Sequence, residues 1–379
     1  MSKINIVVIN DLHFGIKDTE RERQELNMFL DFLKNNPVDI LELNGDYFDH
    51  KLSLGESFAL IGMEFFNEIL TIAKEKNIKI RMIEGTYSHD RFQPKIFENF
   101  IPEKDGEKLI DYKFFETIGT EDLMGLHILY VPEEYPVNHD EYYKQYKNDK
   151  FDLIFVHGTW DFINFGGMIE NNRNDINTSP VFKYDEWANA LEHGLAICGH
   201  IHGRHIYKNK QGTKIIYPGA FTAWSFDQIS DRGFLYLTFD TDTKQFEYKF
   251  INNEKSPKYA NLDVKDLGLD LNTCTIDELK TKIQEQKAKV DFLKINLDAL
   301  PKDKKDIFKN LYKNTADVKT EVSPEKFLLN ESKSSEFDKY NYIIEDKMTH
   351  EQIIQKFIKD EMNIDITEDK IKEIITEEK

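Results

Sequence analysis

Runs of apolar residues bounded by turn-forming residues predict six strands in the first 200 positions. These runs lie at residues 4–9, 39–43, 78–83, 126–131, 152–156 and 195–198. Most are apolar at successive positions, which is typical of strands buried on both faces. At residues 20–34 and 57–76, apolar residues instead recur every three or four positions, which predicts amphipathic helices. The alternation of the two patterns predicts an α/β core.

After residue 203 the pattern changes to short strands separated by Gly and Asp, at residues 214–217, 233–240 and 245–251. We expect these strands to complete a second sheet that packs on the first. The predicted fold class is therefore α/β, a two-sheet sandwich flanked by helices.

A separate set of signals follows residue 254. Helix, strand, helix and strand patterns alternate there, at residues 275–287, 290–296, 304–313 and 317–322. They predict a small α/β module. Two short amphipathic patterns at 348–361 and 367–378 then predict C-terminal helices, whose apolar residues are too few to form a core of their own.

Five short motifs rich in Asp and His each follow directly on a predicted strand. They are Asp11-Leu12-His13, Gly45-Asp46-Tyr47-Phe48-Asp49, Ser88-His89-Asp90, His157-Gly158 and Gly199-His200-Ile201-His202. Ligand sites in open α/β sheets lie beyond the carboxyl ends of the strands, so the five motifs can converge on one place. Each motif alone is more often part of a solvated turn than a metal ligand, but the ordered set indicates a dinuclear metal site.

The spacing within the motifs favours chelation. Asp11 and His13 are two positions apart on an extended segment, so both side chains leave the same face, and the same holds for His200 and His202. Asp46 follows a glycine that permits a sharp turn, and its two oxygens can bridge two cations.

The whole candidate set, completed by His157, contains two carboxylates, four imidazoles and no thiolate. These donors favour Mn, Fe or Zn over Mg or Ca. Two metals about 3.5 to 4 Å apart can activate water and hold the attacking and leaving oxygens of a phosphodiester displacement.

These motifs resemble those of the calcineurin-like metallophosphoesterase superfamily over roughly residues 1–250, and the whole chain resembles the SbcD-type DNA nucleases in a phage-like variant. The resemblance implies an exonuclease and endonuclease that uses two divalent metal ions, with Mn²⁺ expected, in DNA repair or recombination. It implies that the first metal is held by Asp11, His13, Asp46 and His202, and the second by Asp46, His157 and His200.

The same resemblance assigns roles to the remaining motif residues. His89 would protonate the leaving oxygen, Asp90 would orient its imidazole, and Asp49 would support the site from outside the ligand set. The third motif departs from the family pattern, in which an Asn ligates the second metal. Ser88 takes the place of that Asn, and we expect its hydroxyl to be a poorer metal ligand.

The resemblance also implies a domain order. Residues 1–254 would form the nuclease domain, 255–325 a DNA-binding capping domain, 326–347 a linker, and 348–379 a helical segment that binds the coiled coil of an SbcC-type ATPase. It further implies that the chain forms a homodimer.

The net charge of −19 argues against DNA binding by bulk electrostatics, which uses clustered Lys and Arg. Two cations at the site and a partner subunit would supply the missing positive charge. Two cysteines are too few for a disulfide framework, and no apolar run approaches the roughly 18 residues of a membrane span. We therefore expect a cytoplasmic protein with no membrane partner.

Two other functions remain open. A metallophosphoesterase for a small phosphodiester or a phosphoprotein would suit the acidic charge but would leave residues 255–379 without a role. A non-catalytic scaffold would follow if the change at Ser88 had abolished the second metal site, although the other motif residues argue against it.

Overall fold

The computed structural model describes residues 3–16, 19–53, 56–163, 181–226 and 231–322, together with Gln355, Lys359, Thr367 and Lys370. Met1–Glu321 forms one compact unit and Val322–Lys379 a second. The predicted linker and C-terminal helices, apart from those four single residues, lie outside the described part of the chain. Within the described residues, no helix is long and apolar enough to cross a membrane.

The first sheet has six strands, of which five run in one direction and one runs in the opposite direction. In chain order its parallel strands are β1 (Lys3–Ile9), β2 (Ile40–Asn44), β3 (Lys79–Ile83) and β4 (Tyr112–Phe115). Beside β1 lie two later strands, β11 (Gly233–Asp240) and β12 (Gln245–Asn252). The order across the sheet is β12-β11-β1-β2-β3-β4, with β11 antiparallel to both of its neighbours.

The second sheet also has six strands. They are β5 (Gly119–Leu123), β6 (Leu126–Val131), β7 (Leu153–His157), β8 (Leu195–Gly199), β9 (His205–Asn209) and β10 (Gly212–Tyr217). The order across the sheet is β9-β10-β8-β7-β6-β5, and β6, β7, β8 and β10 run parallel.

Helices cover the outer faces of the sandwich. They are α1 (Thr19–Asn35), α2 (Ser57–Lys76), α3 (His139–Lys147) and the single turn α4 (Tyr184–Trp187). On α1, the buried Leu26, Phe29, Leu30 and Leu33 follow the three- and four-residue spacing that the sequence shows. Burying each such side chain contributes about 1.5 to 3 kcal/mol, so this stripe holds the helix on the sheet.

The core has three apolar layers, and β1 shows how one strand serves two of them. Its Ile4, Ile6 and Val8 point into the layer between the two sheets. Its Val7 and Ile9 point to the opposite face and pack with α1 and α2. A third layer lies on the outer face of the second sheet. The two-sheet α/β sandwich predicted from the sequence is confirmed.

One expectation about the sheets is wrong. The late strands do not all join the second sheet, because β11 and β12 extend the first sheet beside β1 and only β10 joins the second. The difference arises because β1 leaves one edge open after pairing with β2, and Ile6 and its neighbours pair there with β11. Pairing between strands more than 200 residues apart cannot be recognised from the local pattern of apolar and polar residues.

The region after residue 254 forms a small three-stranded parallel sheet. Its strands are β13 (Tyr259–Asp263), β14 (Phe292–Asn296) and β15 (Val318–Glu321), in that order across the sheet. Between them lie α5 (Ile276–Lys287) and α6 (Lys302–Tyr312). The start of α5 is fixed by a capping box between Thr275 and Glu278. An ion pair of 3.2 Å between Arg21 on α1 and Asp291 links this module to the sandwich.

Candidate metal centre

The backbone at the strand ends adopts a conformation that most residues avoid. Asp11, His13, Asp46 and His200 have φ values of 48°, 49°, 50° and 80°, in the left-handed region. Each such residue lowers the stability of the fold by roughly 1 kcal/mol or more, so the conformation persists only where neighbouring groups hold it in place. Here Asp11 N–H donates to Gly45 O at 3.2 Å, and His13 N–H donates to Asp46 O at 3.0 Å. Four of the described non-glycine residues with positive φ are therefore candidate ligands.

The first candidate set comes together around His13. The ligand atoms of Asp11, His13, Asp46 and His202 all lie within 4.8 Å of one another. His13 Nε2 lies 3.2 Å from His202 Nε2 and 3.6 Å from Asp46 Oδ2. Asp11 Oδ1 accepts a hydrogen bond from His200 N–H at 2.9 Å, but among the described residues the buried Oδ2 has no hydrogen-bond partner. A buried carboxylate oxygen without a donor fits a cation ligand.

The second candidate set shares Asp46 with the first. Its other members are His157 and His200, again with ligand atoms within 4.8 Å of one another. His157 Nε2 lies 3.2 Å from Asp46 Oδ1. The other ring nitrogen, Nδ1, donates to the carbonyl oxygen of Asn44 at 3.0 Å. Since a carbonyl can only accept, this bond leaves Nε2 as the nitrogen that can hold a metal.

A threonine hydroxyl completes the second set. Thr86 Oγ1 lies 3.3 Å from Asp46 Oδ2, 3.4 Å from His157 Nε2 and 3.3 Å from His200 Nδ1. It also lies 3.1 Å from a carboxylate oxygen of Glu133. The backbone N–H of Thr86 donates to Asp46 Oδ1 at 2.6 Å, which fixes the loop against the bridging carboxylate.

The structure does not bring Ser88 to this position, contrary to the expectation from the third motif. Ser88 is exposed on the turn that follows Thr86. Gly85 lies directly against the loop that carries Asp46, since a Cβ there would lie 2.1 Å from the backbone nitrogen of Asp46. The residue after that glycine is Thr86, and Tyr87 and Ser88 separate it from His89. The prediction for the missing Asn therefore moves from Ser88 to Thr86.

Glu133 is a site residue that the sequence motifs did not include. Its side chain is buried, and Oε2 lies 3.3 Å from His200 Nδ1. Its other oxygen accepts a hydrogen bond from the hydroxyl of Tyr135. Glu133 follows β6 by two residues, so it obeys the same strand-end rule as the motifs, but no neighbouring His or Gly draws attention to it.

Trp224 is a second residue that the motifs missed. Its ring centroid lies 4.7 Å from that of His13 and 4.8 Å from that of His202. The indole therefore packs against both imidazoles of the first set. It stands in the loop between β10 and β11, far from any motif in the sequence.

His89 contacts the backbone and side chain of Asp49. Its Nδ1 donates to the carbonyl oxygen of Asp49, and its ring lies edge-on to that of His13 with centroids 4.7 Å apart. The carboxylate of Asp49 lies 3.3 Å from His13 Nδ1 and 3.8 Å from His89 Nδ1. His13, Asp49 and His89 could themselves hold an ion, since their ligand atoms also lie within 4.8 Å of one another.

The expectation that Asp90 orients His89 differs from the geometry. The buried carboxylate of Asp90 accepts hydrogen bonds from Phe48 N–H at 2.8 Å and from Gly85 N–H at 2.9 Å. It therefore ties the loop after β2 to the loop after β3. Asp49 is the residue that orients the imidazole of His89.

The buried charges perturb one another strongly. Burial would lower the pKa of His157, but the nearby carboxylate of Asp46 outweighs it and raises that pKa to about 10. Burial raises the pKa of Asp11 to about 6. Burial, reinforced by His13, lowers the pKa of His202 to about 3. A cation at this site would replace the proton on His157, so it competes better as the pH rises.

Comparisons with known proteins agree with the motif set. A sequence model described as calcineurin-like phosphoesterase matches residues 4–204, just over half of the 379 residues. This span contains every candidate ligand, from Asp11 to His202. No curated protein matches the chain.

Two of the solved structures that match are distant in sequence. One crystal structure covers 66% of this chain and 100% of its own, with 11% identity and a TM-score of 0.38. Another, titled as a protein of unknown function, AQ665, from Aquifex aeolicus, covers 49% of this chain and 93% of its own, with 17% identity and a TM-score of 0.23.

Proposed function

The chain belongs to the calcineurin-like phosphoesterase family, and from this premise we propose that it is a dinuclear metal-dependent phosphodiesterase that cleaves DNA as the nuclease subunit of an SbcD-type complex. The observation that carries the proposal is the pair of ligand sets that meet at Asp46. A single carboxylate shared by two sets is what a two-metal site for phosphodiester hydrolysis requires.

The chain's own residues divide between the two metals. We propose that Asp11, His13, Asp46 and His202 hold the first, and that Asp46, His157, His200 and Thr86 hold the second. The donors are nitrogen and oxygen without sulfur, which suits Mn, Fe or Zn, and of these we propose Mn²⁺ because the SbcD-type resemblance implies it. When bound, two such ions lower the pKa of water and neutralise the charge that develops on the phosphate.

We propose that His89 handles the proton of the leaving group. Its Nδ1–H is used by the carbonyl oxygen of Asp49, so Nε2 is the nitrogen left to donate to the leaving oxygen. Asp49 also lies 3.3 Å from His13, so it would hold His89 beside a metal bound by the first set. Asp90, by joining the two loops, keeps Asp46 and Thr86 in register.

The module after residue 254 supports DNA as the substrate. The sheet of β13, β14 and β15 with α5 and α6 has the order and size that the SbcD-type resemblance implies for a DNA-binding capping domain. With a charge of −19 the chain would depend on an ATPase partner for much of its grip on DNA. We propose that residues 348–379 bind that partner.

The test compares two substrates of the purified chain in Mn²⁺. We expect it to degrade linear duplex DNA, and to do so faster when an SbcC-type ATPase and ATP are added. A nitrophenyl phosphodiester serves as the generic substrate. Hydrolysis of the ester without cleavage of DNA, even with the partner present, would replace the nuclease by a phosphodiesterase for small esters.

A pair of substitutions tests the hydroxyl at the second metal. We expect Thr86→Asn to lower the Mn²⁺ concentration for half-maximal activity by on the order of tenfold, because an amide oxygen is a better ligand and changes around a metal shift affinity on this scale. Thr86→Val should raise that concentration. Metal titrations of activity and calorimetry measure both effects.

The matched control is Ser88→Asn, the substitution that the sequence alone would have chosen. Ser88 is exposed on the turn, so we expect an unchanged Mn²⁺ requirement. A requirement lowered by Ser88→Asn and untouched by Thr86→Val would return the ligand position to Ser88.

A further inference from the structure

A pocket of about 350 Å³ opens beside the second ligand set. Its lining includes Gly85, Tyr87, Phe92, Glu133, Tyr135 and Tyr142. Gly85 and Glu133 also belong to the metal centre, since Gly85 precedes Thr86 and Glu133 contacts both Thr86 and His200. A group bonded to a phosphate at the second metal would therefore reach the pocket without leaving the protein surface.

Aromatic rings are exposed on the walls of this pocket. Tyr87 is 57% exposed, Phe92 45% and Tyr135 44%. Tyr87 and Phe92 lie edge to face with centroids 5.8 Å apart. Large apolar side chains that gather on the surface beside a reactive site commonly serve binding. None of the three is used by the proposed chemistry.

Hydrogen bonds hold two of the three aromatic residues in place. Phe92 has φ of 59°, in the left-handed region, and its N–H donates to Glu84 Oε1 at 2.6 Å. A bulky residue adopts this conformation only where neighbours enforce it. The hydroxyl of Tyr135 is likewise fixed on Glu133. Phe92 and Tyr135 are thus presented in a fixed arrangement, and the ring of Tyr87 packs against that of Phe92.

The charge of the walls limits what can enter. Glu133 and Glu134 line the pocket, and both oxygens of Glu134 are engaged, by Tyr142 Oη at 2.7 Å and Ile118 N at 2.9 Å. Carboxylates in these positions repel a second phosphate. The occupant suited to aromatic faces and acidic walls is flat and uncharged.

We propose that this pocket binds one unpaired nucleobase of the nucleotide whose phosphate lies at the second metal. The inference rests on the proposed function, since it names part of the substrate of the same site. A volume of about 350 Å³ is at the lower end for ligand pockets and accommodates a single base, while the acidic walls repel the phosphates of a paired strand. The base must therefore leave the duplex before cleavage, which costs a few kcal/mol and favours frayed ends and single strands.

The first experiment removes the base from the substrate and, separately, the aromatic side chain of Tyr87 from the pocket. Single-stranded oligonucleotides carry either a normal nucleotide or an abasic one at the cleaved position. Stacking on an aromatic side chain contributes about 1 to 3 kcal/mol per base, so wild-type kcat/KM should fall about 5- to 150-fold on the abasic strand. Tyr87→Ala should lose a comparable factor on the normal strand and no longer distinguish the two. Tyr87→Trp should restore the difference.

The control is Phe100→Ala, which removes another exposed ring, 43% exposed, that lines a different pocket. It should retain the wild-type preference for the normal strand. An equal loss on both strands in Tyr87→Ala, or a wild-type enzyme indifferent to the abasic position, overturns the proposal.

A second measurement separates this inference from the proposed function. Deoxyadenosine monophosphate and deoxyribose 5-phosphate are compared as inhibitors of nitrophenyl ester hydrolysis in Mn²⁺. The nucleotide should bind about 5- to 150-fold more tightly to the wild type and no more tightly to Tyr87→Ala. Equal inhibition by the two overturns the base pocket even if DNA is cleaved. A clear preference in an enzyme that does not cleave DNA refutes the nuclease and keeps the pocket.

Discussion

In Asp46→Ala, both metals should bind far more weakly and phosphodiester hydrolysis should fall by on the order of 10³-fold or more. The substitution leaves three candidate ligands in the first set and removes the carboxylate that both sets share. Bound metals supply several kcal/mol of transition-state stabilisation, and each 1.36 kcal/mol corresponds to a tenfold change in rate.

Trp224 provides a direct readout of this loss. Its indole packs on His13 and His202, so paramagnetic Mn²⁺ in the first set should quench its fluorescence. The titration should show quenching in the wild type and little in Asp46→Ala, and Trp224→Phe identifies the source of the signal. The other two tryptophans, Trp160 and Trp187, are buried in the apolar layer on the outer face of the second sheet.

A companion variant guards against misfolding. Asp46 has a positive φ, which Asn tolerates better than Ala, so Asp46→Asn keeps the backbone and removes only the charge. Without metal it should still fold to the wild-type structure by circular dichroism, with a lower Tm because it loses the charge that pairs with His157, and it should lose most of the Mn²⁺ affinity. Two intact sites by calorimetry in a folded Asp46→Asn protein would show that Asp46 does not bridge the metals.

In His89→Ala, kcat on DNA should fall by roughly 10² to 10⁴, the usual contribution of a general acid. The loss should be much smaller on a nitrophenyl ester, because nitrophenolate leaves without needing a proton. Mn²⁺ binding should be nearly unchanged, since His89 belongs to neither set that shares Asp46. Steady-state kinetics on both substrates and Mn²⁺ calorimetry measure the two effects.

His193→Ala is the matched control, because this histidine is 73% exposed and belongs to no motif. It should keep wild-type rates on both substrates. If His89→Ala instead loses a metal, His89 is a ligand in the group that it forms with His13 and Asp49, and the assignment as an acid is wrong.

The sequence by itself determined the α/β sandwich and the positions of the candidate ligands. Both follow from local properties: β1 alternates its two buried faces, α1 repeats its apolar stripe, and each Asp and His motif directly follows an apolar run. The carboxyl ends of parallel strands meet at one edge of a sheet, so the sequence alone predicts that motifs distant in the chain lie close together.

Other features depended on contacts that no local pattern records. The attachment of β11 and β12 to the first sheet follows from the open edge of β1, and Glu133 and Trp224 reach the metal centre from loops without a motif.

The third motif shows the physical reason most clearly. Along the chain, Ser88 is the residue next to His89, but in space the position is set by Gly85, which has no room for a Cβ against Asp46. That close approach places the hydroxyl of Thr86 among Asp46, His157 and His200, whereas Ser88, two positions later, is exposed. Spacing could identify which residue types form the site, but only the packing of one loop against another decided which hydroxyl enters it.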